Sequence, residues 1–432
     1  MEHKELTNIT RQMKRAFDEQ ELTELGAQTG QCRRQRKVTP YRLALSLIQS
    51  LGAGRVETIA DLLREFNRLH GEEVQYKPFH NQLAKASFPE FMRKLCVTLM
   101  EKLSGKVLGF DKDSPFSRFN RLHLHDGSSF ALKSSLQEAY PGRFTKISPA
   151  AVELHVTMDL LSEMPHTIAL AADSESEVHY APEPGQLTGG LLLADRMFFI
   201  KSYLADIQHH GGHYIVKTKG TLNPVVRRAW RQDGSEIPRW RERPLKTLKT
   251  AMTKEKAVDL EVYWTSKERL ETRLVVTWDQ ENKRLRYLAS NLPREDFALE
   301  QVCDAYRLRW QIELMFKEWK SYTNLHAFDT GNADLAEGLI WASICAALLK
   351  RFLAHATERV YRVAISTRNI AMCIRGILFE LLSTLMSTHH KLKVTLEMAL
   401  EFLAGNAKRS HPKRDRDKGR AKLGLEAKFL GA

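Results

Sequence analysis

Four side chains between residues 306 and 320 have the types and the spacing to hold a metal ion beside a phosphate: Tyr306, Arg309, Glu313 and Lys320. The segment that carries them, 304–324, lacks Pro and Gly and is rich in helix formers, so it reads as one α-helix. On a wheel of about 100° per residue the four collect within an arc of roughly 60°. Leu308, Ile312, Met315, Phe316 and Trp319 fill an adjoining arc of roughly 100°, the width of a stripe that faces a core. One acid, two bases and a phenol therefore line up along the edge of a buried face. The carboxylate can hold a divalent ion, and the cations with the hydroxyl can hold a phosphate next to it. The plainer reading is a solvated flank in which Arg309 and Glu313 form an i,i+4 pair worth a few tenths of a kcal/mol. That pair runs base before acid, the poorer orientation, and it leaves the phenol and the second base unexplained.

The series Tyr306, two residues, Arg309, three residues, Glu313, six residues, Lys320 resembles, in type and spacing, a signature of bacterial transposases. It is the Tyr-Arg-Glu-Lys signature of insertion-sequence transposases with an Asp-Asp-Glu (DDE) catalytic triad. The resemblance implies that Glu313 is the third catalytic acid. It implies that Tyr306, Arg309 and Lys320 contact the DNA end, chiefly its terminal phosphate. It also implies two aspartates upstream, each at the end of a strand.

Two aspartates meet that demand. Leu122 and Leu124 alternate with Arg121, His123 and His125, which predicts a strand ending at Asp126 before Gly127-Ser128-Ser129. Val152, Leu154, Val156 and Met158 predict a second strand and residues 166–172 a third, together an antiparallel meander. Leu191-Leu192-Leu193-Ala194 is a continuous apolar run, as in a strand covered on both faces, and Asp195 ends it. A helix over 197–209 and a strand over 213–218 follow. This order resembles an RNase H-like core, in which functional groups gather beyond the carboxyl ends of strands. A single Asp after a strand usually begins a turn or caps a helix. Joint placement ahead of the Glu313 helix makes Asp126, Asp195 and Glu313 the expected triad. His125, beside Asp126, reads either as an aid to proton transfer or as a merely exposed side chain.

The chain between Asp195 and Glu313 is too long for a bare RNase H-like fold. The surplus lies at about 221–292, where a basic stretch precedes strands expected at 260–265, 272–278 and 285–289; it resembles the β-rich insertion of some family members. Arg227, Arg228 and Arg239 surround Trp230 and Trp240, a mixture suited to gripping phosphates and stacking on an exposed base. The same residues read equally as a solvated loop with its tryptophans in the core. The resemblance implies that an aromatic of this insertion holds a flipped base. Trp230, Trp240, Trp264 and Trp278 all qualify by type, while counting back from Tyr306 points to Arg286 or Tyr287.

Residues 1–105 read as short helices, beginning with 5–26 and followed by 41–51, 56–69 and 79–84, with a basic cluster at 31–37. Such a unit can place a helix in a DNA groove or cap the next domain, and the resemblance favours DNA binding. Residues 335–356 and 369–403 read as long apolar helices that pack together or against a second subunit. The tail, 406–432, is basic, and its stretch 406–422 is expected to be mobile, adding non-specific DNA affinity. The expected fold is α/β: an RNase H-like catalytic core (106–220 and 293–330) with a β-rich insertion (221–292). It is flanked by helical N- and C-terminal regions (1–105 and 331–405).

A formal charge of +14 on 432 residues, with pI near 9.5, favours a polyanionic partner. The five scattered cysteines form neither a disulfide framework nor a zinc site. The opening residues lack the apolar core of a signal peptide, and the longest apolar run, Leu339 to Leu349, is too short to span a bilayer. A cytoplasmic, nucleoid-associated protein is expected. Three carboxylates without Cys ligands suit two Mg²⁺ ions, with Mn²⁺ a substitute. The resemblance further implies cut-and-paste movement of an element by a homodimer that bridges both terminal repeats of double-stranded DNA. A structure-specific nuclease of the same fold, and a transposase-derived DNA-binding protein without activity, are the rival readings.

Overall fold

The computed structural model describes residues 2–32, 36–54, 56–265, 270–325, 329–410 and 419–428. Its N-terminal part is helical: α1 (Glu2–Ala16), α2 (Glu19–Gln28), α3 (Pro40–Ala53), α4 (Ile59–His70), α5 (Tyr76–Leu83) and α6 (Phe88–Leu103). The single helix expected over 5–26 is two. Asp18 leaves the helical conformation and its carboxylate accepts from the Glu21 amide, opening α2. Thr39 caps α3 with Pro40 in its first turn, and a Thr58–Asp61 capping box opens α4. Much of the basic cluster at 31–37, including Arg33 and Arg34, lies outside the described residues.

Among the described residues twelve strands follow in two sheets: β1 (Leu108–Phe110), β2 (Leu122–Ala131), β3 (Ala151–Asp159), β4 (Met164–Ala172), β5 (Leu191–Ala194), β6 (His213–Lys217), β7 (Val225–Arg231), β8 (Arg243–Pro244), β9 (Ala257–Tyr263), β10 (Glu271–Asp279), β11 (Arg284–Ser290) and β12 (Leu425–Ala427). Ten form one sheet in the order β4-β3-β2-β5-β6-β11-β10-β9-β7-β8. At its centre β5 runs parallel to β2 and β6, buried throughout, as its unbroken apolar run requires. The strands of 221–292 are not a detached sheet: β11 pairs antiparallel with β6 and carries the rest outward. β7 occupies part of the basic stretch expected to precede the strands. Its Val226, Ala229 and Trp230 are buried, and a bulge between Val226 and Arg228 breaks the alternation that would have marked it.

Two helices lie within and beside this sheet, α7 (Lys201–His209) and α8 (Lys249–Glu255). α7 begins later than expected because residues 196–198 form a 3₁₀ turn directly after β5. The helix expected over 304–324 is also two, α9 (Leu299–Arg307) and α10 (Trp310–Tyr322). The joint at Leu308–Arg309 tightens to i→i+3 bonds, with Arg309 N donating to Tyr306 O at 3.1 Å and Ile312 N to Arg309 O at 3.2 Å. Its apolar stripe is as expected, with Leu308, Ile312, Met315, Phe316 and Trp319 all buried.

The chain closes with α11 (Ala333–Tyr361), α12 (Thr367–Cys373), α13 (Leu378–Leu385) and α14 (His389–Asn406). α11 is the one helix among the described residues long and apolar enough to cross a membrane, and its apolar window is wholly buried inside the protein. It is a core helix. α3 and α6 pack on it, and the approach is tight: a Cβ on Gly338 would sit 2.1 Å from the Phe88 ring. One hydrophobic core therefore joins the N-terminal helices, α11 to α14 and the face of the central sheet. The last described part of the tail does not trail free. Residues 419–428 fold back so that β12 pairs antiparallel with β1, and Arg420 donates to buried Glu163 at 2.5 Å. Residues 411–418 lie outside the described part.

Candidate active site

The register of the central strands brings the two aspartates together. Parallel pairing of β2 with β5 ends at His125↔Ala194, so Asp126 and Asp195 are the next residues on neighbouring strands. Asp195 ends its strand, as expected. Asp126 does not: β2 runs on to Ala131, because β3 keeps pairing with it through Ala131↔Ala151 after β5 has stopped. α10 crosses over β2 and supplies the third acid. Arg309 Nη1 donates to Asp126 Oδ2 at 2.9 Å, while its Nη2 donates to Glu313 Oε1, so one guanidinium spans both carboxylates. Burial pushes the Asp126 carboxyl up to about 6; Arg309 and the Gly127 amide oppose the shift, and the nearby charges of Glu313 and Asp195 add to it. The three acids thus share one field.

Among the described residues no group of three His, Cys, Asp or Glu side chains stands close enough to hold a metal ion. Arg309 occupies the space between two of the acids. The donor set is nevertheless of the right kind, since crowded carboxylates that lift one another's proton affinity are what a divalent cation relieves.

The other members of the signature face the same rim. Tyr306 is largely buried beside Arg309, with the guanidinium 5.9 Å from its ring. Burial raises its proton affinity, so it is a neutral phenol. Lys320 Nζ donates to the Ser129 carbonyl at 2.6 Å, further along β2. Burial lowers its pKa and the Glu153 charge opposes that. His125 is not the exposed side chain of the plainer reading. It is buried, bonded to Thr157 Oγ1 at 2.9 Å and packed edge-on against Phe198, and burial pushes it down to about 3.

The two tryptophans expected to stack on a base are placed otherwise, while the arginines stay on the surface. Trp240 is 1% exposed and Trp230 6%, so neither ring is free to meet a base; both are core residues. Arg227 is held by Glu271 at 2.8 and 2.7 Å, and Arg228 by Glu236 at 3.3 Å while it covers Trp230. Arg239 faces Glu255 at 3.8 Å with its side chain mostly in solvent. Among the tryptophans of the described residues the exposed one is Trp310, next to Arg309, at 56%. Sequence reasoning passed over it because it falls outside both the apolar stripe and the signature register.

Glu153 was missed as well. It stands opposite Ser129 on β3, buried, with its Oε1 where a Cβ on Gly127 would lie within 2.7 Å. Arg143 Nη2 donates to it at 3.1 Å and the Arg143 amide to Asp173 Oδ2 at 2.9 Å. Burial pushes Glu153 up to about 7, aided by Glu177 and opposed by Arg143. The signal was weak: Glu153 falls on the positions 153, 155 and 157 that alternate with the apolar residues of β3, the face opposite the one Asp126 shares with Val156.

Residues 118–349 match the family described as a transposase DDE domain. The transposase for insertion sequence element IS1151 of Clostridium perfringens is 20% identical, covering 83% of each chain. That for IS231F of Bacillus thuringiensis subsp. israelensis is 21% identical over 94% of this chain and 93% of its own. A shorter likeness, 36% identity over 24% of this chain and 29% of the relative, is to the putative transposase InsL for IS186A of Escherichia coli. Proteins of this family act on DNA and generally use divalent metal ions. The family match takes in more than half of the 432 residues and both aspartates together with α10, and the chain belongs to the DDE transposases of insertion sequences.

Proposed function

We propose that this chain moves an insertion sequence by cut and paste, with Asp126, Asp195 and Glu313 as the acids that hold its divalent ions. The single observation that carries the reading is the meeting of three acids from distant parts of the chain, two on adjacent parallel strands and one on the helix above. On this reading the central strands are an RNase H-like core, 221–292 is its β-rich insertion, and 306–320 is the Tyr-Arg-Glu-Lys signature. Mg²⁺, or Mn²⁺ in its place, supplies charge stabilisation of the attacking and leaving oxygens when bound.

The chain's own residues do the rest. Asp126 and Asp195, fixed by strand pairing, present oxygens from one edge, and Glu313 presents its own from α10. Arg309, with Tyr306 at its side, orients the phosphate of the DNA end, and a guanidinium suits it because its fork matches two phosphate oxygens. Trp310 offers the exposed ring against which a distorted end can stack. Handling two ends calls for a homodimer on double-stranded terminal repeats, in the nucleoid. The test is incubation of the purified chain with Mg²⁺ and duplexes bearing the element's terminal repeats. Joined products are expected; cuts without joining would point to a nuclease, and a mobility shift without cuts to a DNA-binding protein.

A further inference from the structure

The Arg309 guanidinium sits between two of the acids that would hold a divalent ion: Nη1 is committed to Asp126 and Nη2 to Glu313. Among the described residues no other cation is within ion-pair distance of either acid. Lys320 is turned to the Ser129 carbonyl and Arg143 to Glu153, so neither can relieve Arg309. A guanidinium has a limited set of N–H donors in a fixed plane, and those aimed at the two carboxylates cannot also grip a phosphate. With its side chain only 15% exposed, Arg309 keeps a partner at all times, since a buried charge left alone is costly.

We propose that Arg309 is an internal counter-ion that competes with the divalent metal for Asp126 and Glu313, so that metal and a DNA-end phosphate promote one another's binding. A metal that takes the carboxylates releases the guanidinium to the phosphate. A phosphate that takes the guanidinium frees the carboxylates for metal. Binding linkage makes the two effects equal in size. The inference deepens the proposed function and rests on its assignment of these acids as metal ligands.

The test is titration of the full-length protein with Mn²⁺ in the absence of DNA, reading free Mn²⁺ by electron paramagnetic resonance. Arg309→Gln is expected to bind Mn²⁺ at least about tenfold more tightly than the native chain, because two charge-assisted hydrogen bonds no longer hold the acids. Arg309→Lys, which keeps the charge but not the fork, is expected to fall between, and it serves if the Gln variant does not fold. A terminal-repeat duplex ending in a phosphate is expected to tighten Mn²⁺ binding more than one ending in a hydroxyl, a difference that Arg309→Gln erases. Asp126→Asn separates the layers. If it abolishes Mn²⁺ binding while the Arg309 variants bind no better than the native chain, the competition is overturned and the metal site stands. If it leaves Mn²⁺ binding intact, the metal site and the competition fall together.

Discussion

At the scale of the residue, the arrangement turns on acids that are costly to bring together. Glu313→Gln keeps shape and hydrogen bonding but removes one negative charge. DNA cleavage is expected to fall at least about a thousandfold, as several kcal/mol of transition-state stabilisation are lost. Binding to terminal repeats should stay within a few fold, measured by mobility shift on the same preparation; loss of both in a folded variant would count against the assignment. Gly127 offers a second test. An alanine Cβ would press on Glu153 Oε1, and the site can give only by moving the β2 backbone beside Asp126 or buried Glu153 with the Arg143 bonded to it. Gly127→Ala is therefore expected to cost about 1–3 kcal/mol in chemical denaturation. Gly105→Ala, where a Cβ meets nothing, should cost far less. Asp126, Asp195 and Glu313 could be proposed from sequence because local pattern marks each: a change of pattern after Leu124, the end of an apolar run and a helical register. The Arg309–Asp126 bond could not, for its partners stand 183 residues apart.

At the scale of the element, periodicity found most strands and the apolar stripe of α10 but placed boundaries where side-chain pattern stops, not where pairing stops. β2 outlives its pattern because β3 is still alongside, and the helix over 304–324 breaks where i→i+3 bonds replace i→i+4. β7 was hidden by arginines that alternate with its buried residues across a bulge. Helix contacts depend on one small residue. Gly338→Ala gains about 1 kcal/mol of helix propensity, yet it drives a Cβ to within 2.1 Å of the Phe88 ring, where overpacking costs about 1–3 kcal/mol or more. The clash prevails. The variant is expected to unfold at lower urea, and Phe88→Ala combined with it should lose much less than the sum of the two single changes, since the smaller side chain removes the clash.

At the scale of the whole molecule, the sequence announced an α/β core between helical flanks but not how the parts are joined. The β6–β11 pairing that makes 221–292 continuous with the central sheet links residues as far apart as Lys217 and Leu288, beyond the reach of local pattern. The tail shows the same blindness. Its charge suggested a loose arm for DNA, whereas Leu423 and Leu425 are buried, β12 completes a sheet with β1, and Arg420 reaches Glu163, which His355 also faces at 3.3 Å. The two descriptions make opposite forecasts for a chain ending at Ser410. A loose arm would leave stability unchanged and only flatten the dependence of DNA affinity on salt. A docked segment takes with it two buried leucines, each worth about 1.5–3 kcal/mol, and one side of a buried ion pair whose rupture costs about 3–5 kcal/mol. These do not simply add, because the chain also recovers the freedom of the segment that is removed. The expected outcome is a loss of several kcal/mol in urea denaturation at neutral pH. Arg420→Met in the full chain should reproduce a substantial part of it, and an unchanged midpoint in both proteins would return the tail to the role of a mobile arm.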